Sequence, residues 1–343
     1  MADPRVHIRS IGTALPGAPI DNAGLARHFK MTASFAQWID TYVGTSFRHF
    51  AFDLDTGKRE YSLAELGAEA GSRAIANAGI EPGELDLIVM ATWSPDQLIP
   101  ATVNIVADRL GVNDLTTFQL QSGCTGALQA LDVASQLLIA GRHRTALVIG
   151  ADTCFKHFRP GLDPRRMEPG HLVNTVLFGD GAGAAVLSRD PAPGAPLLRH
   201  VSVRLTGLNR APGQSADWFG WGDTLPDHLP IAEDYKAIEE AVPAMAVEMF
   251  HELLEELDWS VEDADYLLPP QLSGQMTERI TGLLDVAGLQ EISCVRETGN
   301  MGNALPFFQL ELLLPRMGAG DRALGVAIES SKWIKSGFAV EMP

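Results

Sequence analysis

The chain has 343 residues, 46% hydrophobic and 20% charged, the balance of a soluble globular enzyme with one large duplicated core or two core-forming units. That balance excludes disordered, collagen-like and coiled-coil classes, and a formal charge of −17 makes nucleic acid and anionic lipid unexpected partners. No apolar run approaches the roughly eighteen residues a membrane span requires, and the opening MADPRVHIRS does not read as a signal peptide.

In chain order, short β-rich runs alternate with longer helical stretches, which predicts a layered α/β fold. Strands are expected at 6–11, 85–91, 116–120, 145–149 and 183–187. A second set is expected at 200–205, 266–268, 292–295, 323–328 and 338–340. Helical patterns are clearest at 62–78, 124–140, 238–256 and 275–286. The Pro- and Gly-rich stretch 189–196 reads as a connection between two similar halves, 1–190 and 197–343. The segment 217–227, with Trp218, Phe219 and Trp221, reads as a surface loop or lid.

Cys124, Cys154 and Cys294 form no CxxC pair, so neither a disulfide framework nor a cysteine-rich zinc site is expected, and a reduced, cytoplasmic protein is. No metal or organic cofactor is indicated. The sharpest local signal is TTFQLQSGCTGALQA, residues 116–130, in which an apolar strand leads into Cys124 at the start of an almost wholly apolar helix. A cysteine at a helix N-terminus lies near the positive end of the helix dipole, which lowers a thiol pKa and favours the nucleophilic thiolate. The same helix amides would stabilise an oxyanion, and Gly123 and Gly126 would keep the approach to the thiol open. Cys154 and Cys294 lack these surroundings and read as packed core cysteines.

These features, with IRSIGTALPG, WIDTYVGTSFR at 38–48, LFGDGAGAAVL at 177–187, LDWSVEDADYLLPPQ at 257–271 and ETGNMGNALP at 297–306, resemble the thiolase superfamily, in particular its β-ketoacyl-acyl-carrier-protein synthase III branch. The resemblance runs almost end to end. It implies a five-layer αβαβα fold of two related halves, a homodimer, and a pantetheine tunnel leading to Cys124. The run FGDGAGAA loosely fits a dinucleotide fingerprint, but it leads into a strand-like segment rather than a helix, so a phosphate cradle is not expected.

The departures from the family bear on mechanism. The family's triad is Cys–His–Asn, and in the stretch that should hold the histidine this chain reads Pro269-Pro270-Gln271-Leu272-Ser273, with no histidine after His251. Asn300 matches the asparagine, although the spacing to Pro306 is one residue short and leaves Asn303 as an alternative. A glycine-rich loop of the family becomes Ala327-Ile328-Glu329-Ser330-Ser331, which would set a carboxylate, Glu329, toward the site. Proline has no hydrogen to donate to an enolate, so decarboxylation of malonate should fail while acylation of Cys124 survives.

The expectation is an acyltransferase or non-decarboxylative condensing enzyme of specialised, polyketide-type metabolism, including ring-forming coupling of two thioesters. It would load an acyl group on Cys124 and pass it to an oxygen, nitrogen or carbon nucleophile of a small-molecule acceptor. The alternatives are a decarboxylating synthase in which Glu329 or Ser273 replaces the histidine, and a non-catalytic partner of an active paralogue. Candidate bases are Glu329, Asp96 and His171. Gln271 or Ser273 could restore lost hydrogen bonds, and Trp38, Ser273, Gly302 and Asn303 are candidate substrate-binding residues. Tyr42 stands where the family's coenzyme-A-using members carry an arginine, which shifts the expected donor from coenzyme A toward an acyl carrier protein. Arg142-His143-Arg144, Arg159 and Arg165-Arg166 are candidate docking groups for that carrier.

Overall fold

The computed structural model describes residues 5–157, 163–167, 169–217, 231–284, 286 and 288–343. Its first half runs β1 (His7–Ala14), β2 (Ile20–Asp21), α1 (Asn22–His28), α2 (Ala33–Trp38), β3 (Phe47–Arg48), α3 (Leu63–Ala78), β4 (Leu87–Thr92), α4 (Thr102–Arg109), β5 (Thr116–Gln121), α5 (Gly126–Ile139), β6 (Thr145–Thr153), α6 (Pro169–Leu177) and β7 (Asp180–Ser188). The second half runs β8 (Leu197–Leu205), β9 (Gln214–Ala216), β10 (Ile231–Glu233), α7 (Tyr235–Leu257), β11 (Tyr266–Leu268), α8 (Gly274–Leu284), β12 (Gln290–Glu291), α9 (Val295–Thr298), α10 (Leu305–Leu313), β13 (Arg322–Glu329) and β14 (Ile334–Glu341).

The main-sheet strands lie in the order β12-β11-β13-β14-β8-β1-β7-β6-β4-β5. One pair, His7 with Leu197, joins β1 to β8, and the sheet divides there into two five-stranded units. Counted within each unit, both have the order 3-2-4-5-1, with strand 2 parallel to 3 and 4, and strand 5 antiparallel to 4 and 1. Identical order and direction in two consecutive stretches is the mark of a duplicated unit. This is the five-layer thiolase-type arrangement.

Helix α5 packs on β4 and β6 and also reaches β8 and β14, so it lies between the two units, with α10 beside β1 and β7. Their apolar faces, including Leu128, Leu131, Phe307 and Leu310, fill the central core. On one outer side α3 covers β1, β6 and β7, and on the other α7 covers β13 and β14. Helix α3 begins where the sequence predicts. Ser62 and Glu65 form a reciprocal capping box, and Asp96 accepts further hydrogen bonds from the amides of Leu63 and Ala64 at 3.0 and 2.9 Å.

One strand expectation is corrected. The strand there is the two-residue β12, which ends at Glu291 before the expected segment, and Val295 opens a short helix instead. The reason is a side chain: Oε1 of Gln271 accepts from the amides of Cys294 and Val295 at 2.8 and 2.9 Å, capping the new helix. Residues 180–187 of the run at 177–187 fall in β7, which places Gly181 and Gly183 inside a paired strand, in keeping with the expectation of no phosphate cradle.

Candidate active site

Strand β5 ends at Gln121, and residues 122–125 turn the chain into α5, whose first residue is Gly126. Cys124 therefore precedes the helix by two residues instead of opening it. The helix amides expected to receive an oxyanion are already engaged. Thr125 donates to Glu329 at 3.3 Å, Gly126 to the Gly123 carbonyl at 2.9 Å, Ala127 to Asn303 Oδ1 at 2.9 Å and Leu128 to the Thr125 carbonyl at 3.1 Å. The amide of Cys124 itself lies against its own sulfur and favours the thiolate.

The thiol pKa is raised, against the sequence expectation of a lowered one. Burial is the largest cause, followed by the carboxylates of Glu329, Asp152 and Glu233, and together they outweigh the amide. Cys154 and Cys294 are buried, with thiols also pushed up mainly by burial, as packed core cysteines should be.

Two residues clamp the cysteine turn from the second half of the chain. Glu329, the last residue of β13, is 4% exposed. Its Oε2 accepts from Ser122 Oγ at 3.1 Å and Thr125 Oγ1 at 2.7 Å, and Ser331 donates to its Oε1. Asn303 donates to the Ser122 carbonyl at 3.1 Å and to Asp152 at 2.9 Å while accepting from Ala127, so its amide is used in holding the turn and is fully buried. The flanking glycines serve these contacts. A Cβ at Gly123 would stand 2.9 Å from the Glu329 carboxyl carbon, and one at Gly126 would stand 2.5 Å from Asn303 Oδ1.

Asp152, at the end of β6, is a functional candidate that the sequence reading missed. It accepts from Thr92 Oγ1 at 2.9 Å, Trp93 N at 3.0 Å and Ser94 Oγ at 2.8 Å, while its second oxygen takes the Asn303 amides. Burial nevertheless holds its pKa up at about 6. An aspartate closing the apolar strand TALVIGAD was the available signal.

Three cavities meet at Cys124. The largest, about 450 Å³, runs from Trp38, Tyr42 and Arg279 at its rim to Cys124 and Asn300. Trp38 stacks on Phe35 with centroids 5.8 Å apart, and Tyr42 is 70% exposed. Ser273 lines this cavity and caps α8 by accepting from Met276 N at 3.1 Å. A second chamber of about 240 Å³ is lined by Cys124, Glu329, Gly302, Trp93, Phe178 and Asp217, among others. The third, about 20 Å³, lies between Cys124, Asn300, Gly302 and Pro270. Asn300 is fixed there by backbone hydrogen bonds to Leu177 and from Gly179, and its Nδ2 donates to the Leu272 carbonyl at 3.2 Å.

Several sequence candidates have other occupations. Gln271 accepts from Ser293 as well as the two helix amides and donates to the Pro269 carbonyl, so it anchors the backbone instead of replacing a lost donor. Asp96 caps α3 and is not a base at the cysteine. His171 lies on α6, near enough for its charge to act on Glu233. Arg144 is paired with Asp190 at 2.7 Å and Arg165 with Asp163 at 2.8 Å, while Arg159 and residues 218–227 of the expected lid lie outside the described residues. Among the described residues no cluster of metal-ligating side chains occurs, and no helix is long and apolar enough to cross a membrane.

With this geometry in place, comparison with known proteins defines the class. The sequence pattern of 3-oxoacyl-[acyl-carrier-protein (ACP)] synthase III matches residues 118–203, from β5 through β7 and into β8. A β-ketoacyl-[acyl-carrier-protein] synthase III of Neisseria meningitidis serogroup B (strain ATCC BAA-335 / MC58) is 30% identical over 302 residues, covering 87% of this chain and 86% of that protein. The synthase of Rhodospirillum centenum (strain ATCC 51521 / SW) is 32% identical over 305 residues, covering 88% and 87%. The chain belongs to the β-ketoacyl-acyl-carrier-protein synthase III family of condensing, acyl-transferring enzymes. Among solved structures it is similar to AbyA1, described as a tetronic acid condensing enzyme, with 50% identity, a TM-score of 0.94 and coverage of 98% and 99% of the two chains. It is also similar to the 3-oxoacyl-(acyl carrier protein) synthase III of Pseudomonas aeruginosa PAO1, at 25% identity, a TM-score of 0.80 and coverage of 99% and 98%.

Proposed function

We propose that this chain is a non-decarboxylating condensing enzyme that couples two thioesters into a tetronate-type ring, with Cys124 as the acyl carrier. The observation that carries this reading is the chamber lined by Cys124 and Glu329, a carboxylate where the family resemblance leads one to expect glycine. Pro270, in the position expected for histidine, lines the small cavity beside Cys124 and Asn300 and offers no donor to a decarboxylation enolate. Similarity to AbyA1 over nearly the whole chain supports the same reading.

A tetronate ring requires one new carbon–carbon bond and one new carbon–oxygen bond, and the atoms balance for a 2-hydroxyacyl and a β-ketoacyl thioester. The Cys124 sulfur first bonds the carbonyl carbon of one thioester, whose carbon–sulfur bond breaks, and the departing thiol takes the cysteine proton. Glu329 then removes a proton from the activated α-carbon of the other thioester. That carbon attacks the Cys124 thioester, the new carbon–carbon bond forms, and Cys124 leaves and regains a proton. Finally the substrate hydroxyl closes on the remaining thioester, and the second thiol leaves with the hydroxyl proton. Two thiols are released, and neither carbon dioxide nor an external oxidant or cofactor takes part. Carrier protein or coenzyme A would deliver both units through the cleft bounded by Trp38 and Tyr42. The enzyme is proposed to act as a homodimer, with a second copy covering the outer edge of β5, the end strand of the main sheet, where Phe118 is 41% exposed.

The test is intact-protein mass after incubation with 2-hydroxyacyl and β-ketoacyl thioesters on pantetheine and on carrier protein, followed by product analysis. One thioester should add a single acyl mass that is absent in Cys124→Ala, and the pair together should release a lactone. In Glu329→Gln the acyl-enzyme should still form, while ring formation should fall by about 10²–10⁴-fold, the usual contribution of a general base. Release of carbon dioxide from malonyl-carrier at the rate of an ordinary synthase would overturn the proposal. So would the absence of any acyl-enzyme.

A further inference from the structure

The wall of the large cleft opposite its apolar lining carries a polar group of side chains that the proposed steps do not use. Glu233, at the end of β10, faces Gln214 across the two-stranded β9–β10 ribbon, and Gln214 donates to its Oε1. Asn174, on α6, donates from Nδ2 to Glu233 Oε2 at 2.7 Å. Because a carboxylate only accepts, this bond fixes the orientation of the amide and leaves Asn174 Oδ1 without a partner, as the Tyr235 hydroxyl also is. Asn174 is 1% exposed, so its amide serves to hold the Glu233 carboxylate in place. Tyr235 sets its phenol beside Glu233, and its ring approaches Gly170 so closely that a Cβ there would stand 2.3 Å from Cε2. All four polar residues line the cavity that ends at Cys124, and the Glu233 charge reaches the Cys124 thiol. The apolar part of the lining includes Val43, Val173, Leu177, Phe178, Ile238 and Val242, and Glu239, Ser273, Gln275, Arg279, Asn300 and Ser330 complete its polar part.

A purely hydrocarbon acyl chain would bury this carboxylate and amide against methylenes. A carboxylated or phosphorylated acyl group would be repelled by Glu233. The chemistry that fits is a neutral hydroxyl, which can donate to Glu233. We infer that Glu233, held by Asn174 and Gln214, reads the hydroxyl of the acyl group loaded on Cys124, and that the loaded substrate is therefore the 2-hydroxyacyl thioester. The inference rests on the acyl-enzyme reading above, whose order of steps puts the 2-hydroxyacyl unit on sulfur, and adds the residue that recognises its hydroxyl. Glu233 is assigned as a specificity-determining residue, with no part in moving protons at the reacting carbon.

The experiment measures the rate of Cys124 acylation by intact mass, using lactyl-pantetheine and propionyl-pantetheine, which differ by one hydroxyl. A hydrogen bond to a charged acceptor corresponds to a preference of roughly ten- to a hundredfold for the lactyl donor. In Glu233→Gln, and independently in Asn174→Ala, the ratio of the two rates should fall to within about threefold of unity. A ratio is the chosen readout because partial unfolding or altered thiol reactivity lowers both rates together. Equal rates in the unsubstituted protein, or an unchanged ratio in both variants, would overturn the assignment while leaving the acyl-enzyme standing. Failure of both donors to load in the unsubstituted protein, with Cys124 still open to alkylation, would remove the acyl-enzyme reading and this inference with it.

Discussion

The neighbours of Cys124 hold its thiol pKa above the ordinary thiol value. Burial and the charges of Glu329, Asp152 and Glu233 all disfavour a thiolate, so the raised pKa should be visible in chemical reactivity. Alkylation of Cys124 by iodoacetamide, followed by mass spectrometry, should accelerate tenfold per pH unit and still be rising at pH 9, with no plateau near the ordinary thiol value. Glu329→Gln removes one of the three charges and should speed alkylation at any fixed pH below that range. A plateau below pH 8, or a slower reaction in the variant, would contradict this account. In the proposed reaction, the consequence is that the thiol loses its proton during attack instead of standing ready as a thiolate. The flanking glycines tell a similar story at atomic scale. Gly126→Ala would place a Cβ 2.5 Å from a fully bonded, buried asparagine oxygen, so either the turn or Asn303 must move. The expected cost is about 1–3 kcal/mol in denaturant unfolding, typical of overpacking, together with slower acylation.

At the scale of elements, the candidate site is made where ends of the two halves interlock. β13 contributes Glu329, the 299–305 turn contributes Asn300, Gly302 and Asn303, and both grip the turn between β5 and α5. The segment 269–273 has a mechanical task through Gln271. Gln271→Ala would strip three hydrogen bonds from Ser293, Cys294 and Val295 and leave two buried amides unpaired. A loss of about 2–6 kcal/mol is expected, at the rate of 1–3 kcal/mol per unsatisfied buried group, and hydrogen exchange should quicken first at 294–298. The same bonds show why the sequence misled at 292–295. ISCV has the β-branched, apolar character of a strand, but a side chain 23 residues earlier than Cys294 supplies a helix cap that no local pattern reveals. By contrast, α3 was legible because its start signal is local, with Ser62 and Glu65 three apart. Cys124 was legible through its glycine-flanked turn, whereas the hands that hold it come from about 180 and 200 residues away in sequence and were read only as separate candidates.

At the scale of the whole molecule, the chain buries carboxylates as well as exposing them, and this sets how its stability responds to pH. Asp152 and Asp180 lie inside the first half, each surrounded by donors, yet burial raises them from 3.8 to about 6 and about 7. In the unfolded chain both lose their protons near the ordinary value. Between about pH 4 and 7 the fold therefore holds protons that the unfolded chain has released, and the stability contributed by the neutral forms is lost as pH rises through that window. Carboxylates with lowered pKa, such as Glu65 and Asp263, act below it, because they are already ionised in both states above about pH 5. The melting temperature should accordingly fall from pH 5.5 to pH 8. Asp180→Asn should lower the melting temperature at pH 5.5, since Ala51 and Phe155 donate to separate oxygens of this carboxylate and an amide can serve only one of them. It should also shrink the drop between pH 5.5 and pH 8, because one of the two linked protons is gone. Differential scanning calorimetry of both proteins across that range decides the point: an equal or steeper drop in the variant would mean that Asp180 is ionised throughout, held charged by its donors in spite of its burial.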